Sequence, residues 1–269
     1  MGRTSWEARS ADLPFPIGTY GYSLPDIDGA TWHPLICASK PLAAKVASKF
    51  ESNAAHGDNW IIAAQGARQQ PHLEIVVEGY RKNNIVVIGR DTVIQGRILL
   101  QGDDGLVIIG ERISWWCELQ IRLSSNAQLC FWGSKSTSNG TSIVMEGAGR
   151  HVVVGEDCMF ASGIYIRNSD LHSLIDLESN TWLNEPGDVL LEPHVWVGQD
   201  AMILKNTEIG YGSAIGAKSL VNKSVPRFSL SAGMPARVLR QKISWDRSRV
   251  PGPETSASLM ADMTKLASR

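Results

Sequence analysis

The sequence predicts a mainly β protein wound as a parallel β-helix, on three observations. First, six aliphatic residues recur at a strict six-residue interval: Leu191, Val197, Ile203, Ile209, Ile215 and Val221. Neither a helix nor a flat strand repeats at six, whereas three hexapeptides make one coil of a parallel β-helix of about eighteen residues. Second, the position four residues after each is small or β-branched: Val195, Ala201, Thr207, Ser213 and Ser219. A second inward position that is narrow accepts only such side chains. Third, Gly198, Gly210 and Gly216 follow core residues, where a tight corner is expected to use the backbone freedom of glycine. Stacking such coils buries one continuous apolar column.

The period recurs upstream. Val154, Phe160 and Ile166 form one register, with Gly155 at a turn and Cys158 at a narrow inward position. Ile109, Trp115 and Ile121 form another, as do Ile88, Ile94 and Leu100. Gln128–Gly149 fits no register and reads as an irregular coil with a polar loop at Gly133–Thr141. Leu191 follows Ile166 at a spacing of twenty-five residues where six would continue the pattern. This marks an insertion, and loops that interrupt a rigid scaffold are where function tends to sit.

Residues 1–80 lack the repeat. Leu13–Gly29 is rich in Pro and Gly and reads as extended. Ser39 and Pro41 then signal a helix start, with Leu42, Val46 and Phe50 as its apolar stripe. Leu73–Val77 reads as a strand leading into the coils. The expectation is a small N-terminal cap over the end of the β-helix (residues 1–80), because an open end exposes strand edges. The β-helix follows at 81–225. A C-terminal extension at 226–269 leaves through Pro226 and Gly233–Pro235 and ends in a helical tail, with Leu259, Met263 and Leu266 on one face.

Composition limits the function. A net charge of −1 and a pI near 6.6 give no electrostatic case for nucleic acid or an anionic membrane. The first sixteen residues carry Arg3, Glu7, Arg9 and Asp12 and have no apolar stretch of a secretion signal, and no run approaches eighteen apolar residues. The four cysteines show no CxxC spacing, so reduced thiols in a cytoplasmic protein are expected. Cys158 reads as a small core residue rather than a nucleophile.

Two stretches carry a family resemblance. Val195-Trp196-Val197-Gly198, Ile209-Gly210, Ile215-Gly216-Ala217-Lys218-Ser219 and Ala232-Gly233-Met234-Pro235-Ala236-Arg237-Val238-Leu239-Arg240 resemble the C-terminal half of the hexapeptide-repeat acyltransferases. Met234 stands where that family often has Asn, and Lys218 where Gly is usual. Ile166-Arg167-Asn168-Ser169-Asp170-Leu171-His172 resembles the R-x-S-D-x-H segment of the polysaccharide O-acetyltransferase branch, which acetylates capsular sugars and sialic acids. The resemblance covers about residues 85–245. It implies a left-handed parallel β-helix, a homotrimer with active sites between subunits, and acetyl-CoA as donor.

Acyl transfer from a thioester to a sugar hydroxyl needs a base, because the alcohol is a weak acid and a poor nucleophile. Histidine suits this role near neutral pH. Of six histidines (His33, His56, His72, His151, His172 and His194), His172 sits in the insertion between Asp170 and Asp176. Either carboxylate could orient it, as the acid does in a triad; the resemblance adds a backbone carbonyl as an alternative and favours His172 as base with Asp170 beside it. His194 reads as a residue on an exposed coil face. Trp196 is an outward indole at a corner, and reads as a trimer contact, as a wall of the donor or acceptor site, or as both. By the family's pattern Gly198 and Ala217 line the groove for the pantetheine arm, Asn222 is a further contact, and Arg237 and Arg240 meet the nucleotide phosphates, for which guanidinium forks are well shaped.

An oxyanion donor is expected from Ser162 or a backbone N–H. No nucleophile with an adjacent base stands out, so direct attack in a ternary complex is expected. The related β-helix carbonic anhydrases of the γ type bind metal through three histidines, but their close histidine pair is missing here and no metal is expected. Trp132 and Trp182 are candidates to stack on an acceptor sugar. The function read from these residues is acetyl transfer to a carbohydrate acceptor, a hydroxyl of a bacterial surface polysaccharide or its precursor. N-acylation of an amino sugar or antibiotic, and a non-catalytic scaffold, are the alternatives.

Overall fold

The computed structural model describes residues 2–13, 22–35, 37–38, 58–68, 70, 72–113 and 117–267. The helix expected from Ser39 and the Trp115 position lie outside these residues.

The chain winds as a parallel β-helix whose coils change shape along its length. One wall stacks Trp60–Ala63, Ile85–Ile88, Leu106–Ile109, Leu129–Trp132, His151–Val154, Val189–Leu191 and Thr207–Ile209 in parallel. A second stacks Leu73–Glu78, Ile94–Leu100, Cys117–Leu123 and Thr137–Met145. Thr137–Met145 then pairs with two strands at once, Met159–Phe160 through its first residues and Ile164–Arg167 through its middle. From there the second wall is split in two and the coils are three-walled. Trp196–Val197 and Ala214–Ile215 continue one wall, Met202–Leu204 and Leu220–Val221 the other.

This split explains why the hexapeptide period is clear in one half only. In the three-walled part Val189 pairs with Thr207, eighteen residues on. In the two-walled part Leu106 pairs with Leu129, twenty-three residues on, and Trp60 with Ile85, twenty-five on. Gln128–Gly149 is therefore the transition coil and not an irregular one. Most of the expected polar loop is strand Thr137–Met145, with the register shift between Asn139 and Thr141 where the walls divide. The coil ladder also reaches beyond 81–225, from Trp60 at one end to the antiparallel hairpin Ser229–Gly233 with Ala236–Gln241 at the other.

The repeat residues all face inward. Leu191, Val197, Ile203, Ile209, Ile215 and Val221 join Ile88, Ile94, Leu100, Ile109, Ile121, Val154, Phe160 and Ile166 in one core. The narrow positions Val195, Ala201, Thr207, Ser213 and Ser219 are buried beside them. Trp132 is fully buried, with its ring 4.8 Å from that of Phe160 and its Nε1 donating to the Ser136 carbonyl at 3.3 Å. It is a core residue and cannot meet an acceptor.

The glycines have a different cause from the one expected. Gly198, Gly210 and Gly216 are not in the left-handed region. A Cβ on Gly198 would lie 2.7 Å from the Ala217 amide nitrogen, and one on Gly210 2.4 Å from that of Arg227. The next coil packs too closely for any side chain. Left-handed backbone falls on other corner residues instead, among them Lys135, Asp157, His194 and Lys218, the last at φ +55°. That conformation is the reason glycine is usual at the position of Lys218.

The N-terminal residues cover a flank as well as the end. On the first wall Ile85, Val87, Leu106, Ile108, Leu129, Phe131 and Val153 point outward and form a second core. Both faces of these strands are buried, which is why they read as continuous apolar runs. Trp6 of helix α1 (Gly2–Ala11) and Tyr22 pack there, with Leu24, Ile27 and Trp32. Arg9 Nη1 donates to the Asn83 carbonyl at 2.9 Å. At the end itself Thr31–Pro34 pairs antiparallel with Trp60–Ala63. Helix α2 (Pro253–Ala267) docks by its Leu259, Met263 and Leu266 face, and Tyr211 Oη donates to Asp262 Oδ2 at 3.0 Å.

Candidate active site

The insertion between coils is an arm. Ile164–Arg167 ends one wall, and the coil resumes at Val189–Leu191. Between them a short antiparallel hairpin, Ile175–Asp176 with Thr181–Trp182, projects from the helix. Its root is tied down by Asn168, which is buried and exchanges hydrogen bonds with the Glu146 backbone, both at 2.8 Å. Leu174, Ile175, Leu177, Trp182 and Leu183 are exposed along it.

Asn184 organises this arm with all four of its side-chain hydrogen-bonding sites. Its Nδ2 donates to the His172 carbonyl at 2.8 Å and to Asp170 Oδ2 at 2.9 Å. Its Oδ1 accepts from the Leu174 N–H at 2.6 Å and from Trp182 Nε1 at 2.9 Å. Lys205, on the following coil, adds Nζ contacts to Asp170 Oδ2 at 2.6 Å and to the Asn184 carbonyl at 2.7 Å. The backbone of His172 is thus fixed while its imidazole is exposed.

Asp170 is engaged by Lys205 and Asn184, not by His172. The Lys205 hydrogen bond, with that of Asn184, holds its carboxyl below the usual carboxylate range. Asp176 is likewise turned to its own hairpin, accepting from the Ser179 and Glu178 amides at 2.9 Å. Within one chain, then, neither carboxylate orients the imidazole.

The expected donor-site residues lie on the three-walled half. Trp196 pairs with Ala214, Ala214 with Leu230, and Leu230 with Arg240. Successive strands lie about 4.8 Å apart, so Trp196 and Arg240 stand in one row about 14 Å apart on the outer face. Val197, Ile215 and Ser231 form the matching buried row. Trp196 is 41% exposed. Gly198 is buried under the turn carrying Ala217, which is exposed, as are Asn222, Arg237 and Arg240. Ser162, the oxyanion candidate, is exposed at the corner of the preceding coil. No hydrogen bond or ring contact joins His172 to this row among the described residues.

His194 is not on an open face, contrary to expectation. Its side chain is 13% exposed, Nδ1 lies 2.8 Å from Asp157 Oδ2 and Nε2 3.0 Å from the Trp245 carbonyl oxygen. The ring stacks on Trp245 at 4.3 Å and 7°. Asp157 is buried enough to be pushed up, but hydrogen bonds from His194 and Arg247 outweigh this and hold it below the usual range. Nothing in the local sequence pairs residues 157, 194 and 245, or 170, 184 and 205. Such partners are set by coil stacking alone.

Cys158 is fully buried and its thiol is pushed up to about 12 by burial, so it is no thiolate nucleophile. Among the described residues no group of three or more His, Cys, Asp and Glu side chains is placed to hold a metal ion. No helix is long and apolar enough to cross a membrane among them.

No family model matches the chain. Over 98 residues it is 38% identical to a polysialic acid O-acetyltransferase of Escherichia coli O1:K1, covering 36% of this chain and 32% of that protein. Over 127 residues it is 32% identical to a polysialic acid O-acetyltransferase of Neisseria meningitidis, covering 46% and 56%. The chain thus matches between about a third and about half the length of these curated relatives. The crystal structure of the polysialic-acid-specific acetyltransferase NeuO superposes with a TM-score of 0.61 at 26% identity, over 71% of this chain and 91% of that one. The resemblance drawn from the repeat and the arm motif is to the same kind of protein: the relatives are polysaccharide O-acetyltransferases, and the fold is shared with one of them.

Proposed function

We propose that this protein transfers an acetyl group from acetyl-CoA to a hydroxyl of a bacterial surface polysaccharide or its precursor. The observation that carries the reading is the arm. A histidine with an exposed imidazole is presented on a backbone held by Asn184, Asp170 and Lys205, in a chain whose relatives are named polysialic acid O-acetyltransferases.

In this mechanism His172 takes the proton of the sugar hydroxyl as its oxygen attacks the thioester carbonyl. The C–O bond forms and a tetrahedral oxyanion develops, stabilised by Ser162 or a backbone N–H. Collapse breaks the C–S bond, and the imidazolium returns its proton to the departing CoA thiolate. Both substrates are bound together and no acyl-enzyme forms. Trp196, Gly198, Ala217 and Asn222 line the donor groove, and Arg237 and Arg240 meet the phosphates. Asp170 serves His172 through Asn184 rather than by direct contact. The exposed apolar side of the arm and Trp196 suit a homotrimer with sites between subunits. Acetyl-CoA as donor fits a cytoplasmic enzyme.

The test is acetyl transfer onto a panel of bacterial polysaccharides by the wild type and by His172→Ala. An alkali-labile product made by the wild type, with a loss of at least a hundredfold in the variant, is expected. An alkali-stable product would mark N-acylation. Undiminished transfer by the variant would remove His172 as base.

A further inference from the structure

After the hairpin, Ile243–Arg247 runs as a strap along one corner of the β-helix, crossing successive coils. The Ile243 N–H donates to the Phe228 carbonyl at 3.0 Å, and Ser244 Oγ to that of Gly212 at 3.2 Å. Trp245 Nε1 donates to the His194 carbonyl at 2.8 Å. Arg247 reaches Asp157 Oδ1 at 2.9 Å, the Cys158 carbonyl at 3.0 Å and the Lys135 carbonyl at 3.2 Å. The corners engaged, at 228, 212, 194, 157 and 135, each precede a strand of the same wall. One of those strands is Trp196–Val197.

The strap places a second tryptophan behind the first. Trp245 is 7% exposed, sandwiched against the His194 ring, and its ring centroid is 6.3 Å from that of Trp196. An indole exposed on the outer face of a narrow strand has few neighbours to fix its χ angles. Beside it in the row stand Ala214, which is too small to do so, and Met159, whose flexible side chain fixes a ring less firmly than a stacked aromatic does. A binding surface is only as ordered as the groups packed behind it.

We infer that Trp245 is a positioning residue for Trp196, and that the strap presets this wall of the acyl-donor groove before CoA arrives. The inference rests on the donor-site reading of Trp196. It accounts for a strap that invests a stacked histidine and a buried indole at the corner leading into Trp196, and anchors itself through Arg247 at the corners of the two preceding coils. A strap that merely clips coils together has no need of an aromatic there.

The experiment is calorimetric titration of the full chain with acetyl-CoA, for wild type, Trp196→Ala, Trp245→Leu, Trp245→Phe, Arg247→Ala and the Trp196→Ala/Trp245→Leu double variant, each checked for folding by thermal unfolding. Trp245→Leu and Arg247→Ala are expected to weaken binding about tenfold, Trp245→Phe to restore it, and the double variant to bind no worse than Trp196→Ala alone, the signature of two residues acting through one contact. Wild-type affinity in a folded Trp245→Leu, or losses that multiply in the double variant, would overturn the positioning role while leaving the donor site standing. If Trp245→Leu does not fold, Arg247→Ala decides, since it frees the strap, and with it the guanidinium 5.7 Å from the Trp245 ring centroid, while both indoles stay in the chain. A wild type that binds no acetyl-CoA would overturn the donor site and this role together.

Discussion

The side-chain amide of Asn184 donates to the main-chain carbonyl of His172 at 2.8 Å, across twelve residues of the arm. The contact makes the histidine's position depend on a residue that need not touch substrate. Asn184→Asp removes both donors of the amide and sets a carboxylate against the His172 carbonyl and the Asp170 carboxylate. Transfer is expected to fall by about a hundredfold, since a small misplacement of a reacting group suffices for that. Acetyl-CoA affinity should stay unchanged; a parallel loss of donor binding would show that the arm and the donor groove are one unit.

Lys205→Ala removes the cation that ties Asp170 and the Asn184 carbonyl to the next coil. The pair is partly exposed, so the stability cost should be within about 1 kcal/mol. The transfer rate should drop several-fold. Calorimetric unfolding together with initial rates separates the two effects, and an unchanged rate would remove Lys205 from the arm's support.

Glu192 is buried and accepts from Arg227 Nε at 2.6 Å and from the Tyr211 N–H at 2.7 Å. Arg227→Ala strands that carboxylate. A loss of about 2 kcal/mol is expected, below the range of a fully buried pair because water reaches the arginine side. Denaturant unfolding reads it. No loss would mean that the Tyr211 amide alone satisfies Glu192.

Asp157 is held below the usual carboxylate range when folded. A depressed value means that its contribution is complete above the unfolded value of about 3.9 and is lost as pH falls through the lower folded value. Acidification below about pH 4 should therefore loosen the strap. The wild-type unfolding midpoint should fall in that range more steeply than that of Asp157→Asn. Identical slopes would show that Asp157 does not carry the effect.

Ala201 is fully buried at a narrow inward position. Ala201→Leu should cost at least about 1–3 kcal/mol through overpacking. Cys158→Ala, by contrast, should transfer acetyl at close to the wild-type rate, and the native thiol should resist alkylation near neutral pH. A rate loss beyond what its stability explains would reopen the question of a covalent intermediate.

Legibility followed the physics of stacking. In the three-walled coils the repeat is regular because each eighteen-residue coil must return every sixth residue to the same axis, so Leu191 to Val221 announced themselves. In the two-walled coils, from Trp60 to Trp132, both faces of one wall are buried and coil length varies from twenty-one to twenty-five residues. No single period survives there. Gly133–Thr141 reads as a loop although strand Thr137–Met145 begins inside it, because the polar residues Thr137, Ser138 and Asn139 lie where one wall becomes two.

The candidate site divides in the same way. His172 was found because it lies in an insertion that breaks a strict period, and Trp196 because it sits one position from an inward Val197. Asn184, Lys205, Asp157 and Trp245 were invisible, since their partners lie 12 to 51 residues away and no local pattern encodes which corner stacks on which. By itself the sequence determined the repeat, the inward face and the place of the arm, because those follow from periodicity and side-chain size. Only the tertiary structure decided that Asp170 turns to Lys205 rather than His172, that Trp132 is core, and that the C-terminal strap lies behind Trp196. Those choices depend on the height and angle at which distant coils meet.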